Sequence, residues 1–356
     1  MLPLAKQPPL RLDATELERF AAAVLVAAGA SPVNARIVAE HLVDSDAVGL
    51  PSHGVTRLTQ YIADIRRGEI DPVATPLVRQ DRGALVAIDG GMGFGQVAGQ
   101  TAVDRAAAAA KANGIAFVTV HRAGHAGRIG AYVEALGTRG LVAIACCSGP
   151  RSGHFVAPFG GREGRLATNP IAYAFPTQGL PIVADFATSA APEGVIRLLR
   201  DLGRDAPPGA LRDSTGQLTS DPAALYARPP GAIQPIGGEL QGYKGTALGI
   251  LVELLGTLCV GEEPGDPLRT GNNLAVIALA VDSEFPARGD RFADHIRSAA
   301  PIEPQRPVMM PGDRELISRS ATAKHGIPVD LVVYDALRKS AREFGIQAPP
   351  AREGAA

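Results

Sequence analysis

Tryptophan is absent, and three cysteines (Cys146, Cys147 and Cys259) serve 356 residues. Two of them are adjacent, so no disulfide framework can be built, and without a CxxC pair there is no zinc-ligand spacing. Such sparing use fits a reducing, cytoplasmic setting. Neither sign of charge is in excess, since 35 basic and 36 acidic residues leave a net charge of −1. That balance gives no general reason to expect nucleic acid or an anionic membrane as a partner. The N-terminal stretch AAAVLVAAGA is too short to cross a bilayer. The preceding MLPLAKQPPLRLD, broken by prolines and carrying charge, lacks the form of a signal peptide. A soluble chain is expected.

Several catalytic signatures are missing too. There is no G-x-S-x-G for a hydrolase, no G-x-x-x-x-G-K-[ST] for an NTPase and no H-E-x-x-H for a metalloprotease. A glycine-rich turn does follow the apolar run LVAID, but its spacing is Gly91, Gly93, Gly95, Gly99. The sixth place of a G-x-G-x-x-G fingerprint holds Gln96 instead. No acidic residue closes a second strand about 20 positions later, where the sequence reads FVTVHRAGHAG. These glycines are read as serving a tight turn and close packing.

What is present points to an α/β protein. Hydrophobic residues make up 46% of the chain, much of it Ala, Val, Leu and Ile, and 41 glycines punctuate them. The length exceeds one ordinary core and predicts two substructures, possibly interleaved. DATELERFAAAVLVAAG reads as a helix capped near Asp13 or Thr15 and stopped at Gly29. LVAIDGGMGFGQVAGQTAVDRAAAAAKANGIAFVTV has a strand–helix–strand pattern. LVAIACCSG, IAYAF, PIVADF and NNLAVIALAVD read as strands. PEGVIRLLRDLG reads as a helix, followed by a long Pro/Gly-rich connection. YKGTALGILVELLGTLCVG reads as a buried apolar helix, and the tail from about 286 as further helices.

Four stretches concentrate reactive groups. In LPSHGVTRLTQY, Gly49 and Pro51 end one helix and place His53 at the start of the next segment. If that segment is helical, His53, Arg57 and Tyr61 share one face, where they could hold a small anion and hand it a proton. The plainer alternative makes His53 a cap and the other two ordinary amphipathic residues. GHAGRIG sets His125 and Arg128 at a loop-to-helix junction suited to an anion. RLATNPIAYAFP with IVADFATSA puts Asp185 at a strand end before Thr188 and Ser189, or else makes Asp185 a helix cap. GYKGTAL places Lys244 between glycines at a helix start. Spacing alone reaches a soluble α/β enzyme acting on a small anion.

SHGVTRL, GHAGRIGAY, APFGG, TNPIAYAFP, ADFATS, STGQLTSDP, GYKGTALGILVELL and MPGDRE occur in this order between about residues 13 and 345. Together they resemble the type-2 malate/L-lactate dehydrogenase family. That group includes ureidoglycolate, sulfolactate and diketogulonate oxidoreductases and cyclic-imine reductases. The resemblance implies a nicotinamide-dependent oxidoreductase (NAD or NADP) whose α/β cofactor-binding sheet domain is not a Rossmann fold. It also implies a helical domain built from both termini and a homodimer. The expected division is 1–120 with 306–356 for the helical domain and 121–305 for the cofactor domain.

By motif, the resemblance makes His53 the proton donor, with Ser52 and Asp185 tuning it and His125 a second candidate acid/base. It assigns Arg57 and Tyr61 to the substrate carboxylate. It lays the cofactor along Ser148, Thr168, Asn169, Asp185, Phe186, Ala187, Lys244, Pro311, Gly312 and Asp313, with no metal. If Asp185 reaches His53, it would raise that imidazole's pKa. The sequence departs from the family pattern at Pro51, at Val195 in place of lysine, at Asp313 in place of glutamate, and in the segments HF at 154–155 and ARPPGAIQ. The expected reaction reduces or forms a small 2-oxo/2-hydroxy acid. A cyclic imine carboxylate reductase is the nearest alternative, and a non-catalytic binding relative the alternative of another class.

Overall fold

The Asp13 side chain accepts from Thr15 N and Glu16 N and so begins the first helix where the sequence predicts. The structure, a computed structural model, describes residues 9–267 and 270–352. Strand β1 (Leu10–Leu12) precedes α1 (Ala14–Ala27), and Ser31 caps α2 (Pro32–Ala47) with proline in its first turn. The next helix does not begin at His53. Two short 3₁₀ turns, 51–53 and 55–57, flank an extended Gly54, and α3 (Leu58–Arg66) follows.

The strand–helix–strand pattern appears as β3 (Leu85–Asp89), α4 (Gly95–Asn113) and β4 (Ile115–Ala123), after β2 (Leu77–Asp81). β3 and β4 pair in parallel, and Gly114, with φ of 83°, closes α4. Then come α5 (Gly130–Thr138), β5 (Leu141–Ser148), β6 (Ile171–Phe175), β7 (Ile182–Phe186) and α6 (Glu193–Asp201). The connection expected to be irregular contains a small sheet of β8 (Leu211–Arg212), β9 (Leu218–Thr219) and β10 (Ala232–Ile233). It packs with α6 around Val156, Ile196, Leu225 and Ile233. The chain continues through α7 (Gly238–Gly256), β11 (Asn272–Ala280), α8 (Phe285–Arg297), α9 (Asp313–His325), β12 (Ile327–Val329) and α10 (Leu331–Arg342).

Seven strands form one mixed sheet in the order β2-β3-β4-β11-β5-β6-β7. Only β3 and β4 run parallel to their neighbour. Alanine-rich α4 and α5 lie on one face, where small side chains let helix and sheet approach closely. A second core joins α1, α2, α3 and α10, and β1 pairs with β12 to tie the two ends of the chain together. The boundary expected at 120 falls inside β4, and residues 77–120 supply strands to the same sheet as β5.

Helix α7 differs from expectation. Its Val252 packs on Cys146 and Ala275 of the sheet, but Leu240, Tyr243, Ile250, Leu251 and Leu254 are exposed. With the turn after it, this helix is long and apolar enough to cross a membrane, yet one face lies on the sheet. An apolar sequence predicts burial, but the sheet can cover only one side of a cylinder.

The registry also gathers one end of the sheet. Asp89 pairs with His121, Asn273 with Ser148, and Ile171 with Phe186. The loops bearing His125, Thr168, Asn169 and Thr188 therefore emerge together. Gly95 supports this end, since a Cβ there would sit 2.5 Å from Gly124 O and 2.6 Å from His125 O. Gly95→Ala is expected to destabilise the fold by about 1–3 kcal/mol through backbone displacement. Urea unfolding should show a lower midpoint with an unchanged slope.

Candidate active site

Burial of Arg57 organises the site. Its side chain is 7% exposed, Nε donates to Ser52 O at 2.7 Å, and Nη1 donates to Gln60 Oε1 at 2.7 Å. No carboxylate ion-pairs with it among the described residues. Desolvation holds the guanidinium below its ordinary pKa. A buried charge without a counterion is costly, and an anion placed beside it would lower that cost. Gly194 at the start of α6 lets this happen, because a Cβ there would meet Arg57 Nη2 at 3.0 Å.

The turn bearing Ser52 and His53 rests on a residue that sequence reasoning passed over. Asp46 is buried, accepts from Val55 N at 2.8 Å, and lies where a Cβ on Gly54 would fall 1.9 Å from its Oδ1. Glycine is therefore required beside His53. Burial pushes Asp46 up to about 8. Ser52 Oγ and His53 Nδ1 are 3.0 Å apart.

His53 stacks on His125, with ring centroids 5.6 Å apart and planes at 24°. The two are 72 positions apart, and α2–α3 contribute one while the loop after β4 contributes the other. Tyr61 completes this cluster, although not in the role expected for it. Its ring is fully buried, its hydroxyl meets His125 Nδ1 at 2.8 Å, and Gln96 Nε2 donates to it at 2.7 Å. The phenol is thus committed to His125 rather than free for a substrate carboxylate. Gln96, the residue that broke the dinucleotide fingerprint, is the second member that motif reading missed. A polar side chain among the glycines and alanines of a helix start was its signal.

Desolvation, then the charge on Arg57, pushes His53 down to about 3. Burial and the Arg57 charge likewise hold His125 well below its ordinary value. The raised pKa expected for His53 is not found, for a physical reason. Asp185 accepts from Gly130 N at 2.7 Å, at the start of α5, and forms no bond to His53. Arg128, from the same motif as His125, is a structural tie. It donates to Asp44 at 2.7 Å and Glu134 at 2.9 Å, and its backbone N–H donates to His41 Nε2 at 2.9 Å.

The residues expected along a cofactor divide into groups. Ser148 and Asn169 lie beneath α7 in a buried network, with Ser148 Oγ 2.8 Å from Thr257 Oγ1 and Asn169 Nδ2 donating to Glu253 Oε1 at 2.9 Å. Thr168 O accepts from Thr188 N at 3.0 Å, which sets it beside Asn169 and Ala187 at the sheet end. Asp185 and Gly312 line one hollow with Val183, Arg128 and Glu315. Phe186 is exposed at the end of β7, and Pro311 is exposed before Gly312. Two expectations are corrected. Lys244 is not at a helix start but in the second turn of α7, exposed beside Tyr243. Asp313 is committed to Met310 N and Arg297, at 2.8 Å each.

A sequence profile of the malate/L-lactate dehydrogenase family matches residues 12–338. The chain belongs to this family. Hydroxycarboxylate dehydrogenase B of Escherichia coli K12 is 31% identical over 94% of this chain and 95% of its own. Delta(1)-pyrroline-2-carboxylate reductase of Ancylobacter novellus is 33% identical over 93% and 97%. The solved malate dehydrogenase of Pyrococcus horikoshii superposes with a TM-score of 0.86 at 28% identity, over 96% of this chain and 97% of that one. The family places the protein among oxidoreductases that act on small hydroxy and oxo acids, and its dehydrogenases generally use nicotinamide cofactors.

The residues present fit such a cofactor. Asn169 Oδ1 is buried without a hydrogen-bond partner, an acceptor suited to a carboxamide N–H. The hollow beside Asp185 is lined by Val183, Leu316, Gly312 and Glu315.

The low histidine pKa values make stability depend on pH. Below pH 6.5 the unfolded chain binds protons that folded His53, His125 and His41, the last pushed down to about 4, do not. Stability should therefore fall as pH drops from 6.5 toward 4. Asp46 acts oppositely: folded, it keeps its proton up to about 8, so stability falls as pH rises from 3.8 toward 8. Three histidines outweigh it on the acid side. Calorimetry should give a lower Tm at pH 5 than at pH 7, and Asp46→Asn should flatten the decline between pH 7 and 8.

Proposed function

We propose that the protein reduces the carbonyl of a small open-chain 2-oxo acid, and oxidises the matching 2-hydroxy acid, with NADH or NADPH. The observation that carries this reading is the buried, ion-pair-free Arg57 beside two neutral imidazoles. Arg57 holds the substrate carboxylate, and its Nη2 is the part of the fork left uncommitted. The carboxylate fixes the neighbouring carbonyl against His53 and His125. When bound, the nicotinamide supplies or accepts the hydride. Ser148, Thr168, Asn169, Asp185, Phe186, Ala187, Pro311 and Gly312 are the residues at the sheet end that would hold the cofactor. A mixed sheet with one parallel pair supports a site unlike a Rossmann crossover.

The electrostatics around Arg57 support His53 as the acid. The Arg57 charge helps hold its imidazole neutral, and a bound carboxylate offsets that charge, lifting the pKa and drawing in a proton. The same positive field favours a neutral carbonyl over a protonated cyclic imine, since Arg197 also acts on Arg57 and His125. Ser52 orients the ring.

A cytoplasmic homodimer completes the reading. The exposed stripe of Leu240, Tyr243, Ile250, Leu251, Leu254 and Leu258 on α7 and the turn after it is self-complementary apolar surface of the kind a two-fold contact buries.

Three measurements test these points. His53→Ala should keep cofactor binding, followed by nicotinamide fluorescence, and lose about 10²–10⁴-fold in kcat with pyruvate or oxaloacetate. Unchanged turnover would refute His53 as the acid. In the wild type, kcat/KM for reduction should fall about tenfold per unit from pH 6 to 8, because the free imidazole must be protonated, while that for oxidation stays flat. Leu251→Glu with Leu254→Glu should give monomers in sedimentation equilibrium where the wild type gives dimers.

A further inference from the structure

The two stacked histidines differ in their hydrogen bonds. We propose that Tyr61 and Gln96 are positioning residues that lock His125 with its single proton on Nε2, so that it donates a hydrogen bond to the substrate oxygen and leaves proton transfer to His53. This rests on the reading of the preceding subsection.

The direction of each bond follows from donor counting. Gln96 Nε2 carries hydrogens and no lone pair, so at 2.7 Å it donates to Tyr61 OH. The phenol's own hydrogen is then directed at its other partner, His125 Nδ1, at 2.8 Å. A second donor, Gly127 N–H, meets the same Nδ1 at 3.3 Å. An Nδ1 that accepts twice carries no proton, and a neutral ring must then carry it on Nε2. Reversing the Gln96 amide would send the phenol hydrogen to Gln96. It would force Nδ1 to donate to Tyr61, and Nδ1–H would then oppose Gly127 N–H. The backbone donor therefore decides between the two orientations.

The surroundings keep this arrangement neutral. Burial pushes Tyr61 up to about 12, so the phenol retains its proton. The groups that face His125 (Arg57, His53, His41 and Arg197) are cationic or neutral, which disfavours a second proton on the ring. His53 is constructed differently. Among the described residues its Nδ1 meets the Ser52 hydroxyl alone, at 3.0 Å, which can donate or accept by rotating. That ring can take up and release a proton without breaking its support.

The reaction then balances. In reduction, the carbonyl carbon gains a hydride from the reduced nicotinamide, and the C–O π pair moves onto oxygen. His125 Nε2–H stabilises the charge growing there by hydrogen bonding. The proton that completes the hydroxyl comes from protonated His53, which ends neutral. A neutral imidazole used as a hydrogen-bond donor, beside a separate proton-transfer group, is established chemistry.

Nitrogen-15 NMR of histidine-labelled protein reads the tautomer directly. His125 should give the Nε2–H pattern from pH 5.5 to 8 in the unaltered protein. Gln96→Glu should switch it to Nδ1–H, because a carboxylate takes the phenol hydrogen and reverses the relay. The same substitution should lower kcat by roughly 10–10²-fold with KM changed less than about threefold. Gln96→Met, which removes the amide donor from the phenol, should loosen the lock: the Nε2–H share of His125 should drop and kcat should fall, by less than in Gln96→Glu. An Nδ1–H or doubly protonated His125 in the unaltered protein overturns the proposal, as does an unaltered tautomer in a folded Gln96→Glu. Absence of turnover of any 2-oxo acid, with the Nε2–H tautomer present, would instead refute the substrate reading.

Discussion

A guanidinium taken out of water with no carboxylate ion-paired to it among the described residues is the constraint on which the site depends. Arg57 is held by a backbone carbonyl and an amide oxygen, neither of which cancels its charge. Everything facing it is adjusted to that cation. His53 and His125 stay neutral, and the α6 backbone approaches at a glycine. An anion brought beside this guanidinium would offset its charge and raise the pKa of the neighbouring imidazoles.

The fold maintains this state by rigid backbone contacts. Asp46 fills the space where a side chain on residue 54 would lie, and the α4 backbone at Gly95 presses on the carbonyls of Gly124 and His125. Arg128 ties α5 to α2 through Asp44 and Glu134. Two cores, one helical and one built on the sheet, are therefore joined at the strand ends from which the reactive loops emerge. The same strand ends carry Asn169 and Asp185, so these residues and the stacked histidines approach one region from opposite cores.

Much of the fold was legible. Asp13, Gly29 and Gly114 mark helix ends through local hydrogen bonds and backbone angles, and the strand–helix–strand unit follows from apolar periodicity. The glycines of the failed dinucleotide fingerprint lead into α4, which packs on a mixed sheet. Of the candidate residues, His53, Arg57 and His125 do converge. Tyr61 converges with them but as a partner of His125, and Asp185 binds the α5 backbone. The two-sided apolarity of α7 was legible, whereas the side left uncovered was not.

The sequence by itself determined the elements, their ends and the family, because caps, turns and side-chain periodicity act over a few residues. Only the tertiary structure decided which polar group answers which. Tyr61 and His125, or Asp185 and Gly130, meet across long stretches of chain, and nothing local in either residue specifies the other. Protonation states follow the same division, since an imidazole's pKa depends on how much water is removed and which charges remain nearby. Those quantities exist only after the chain has closed around them.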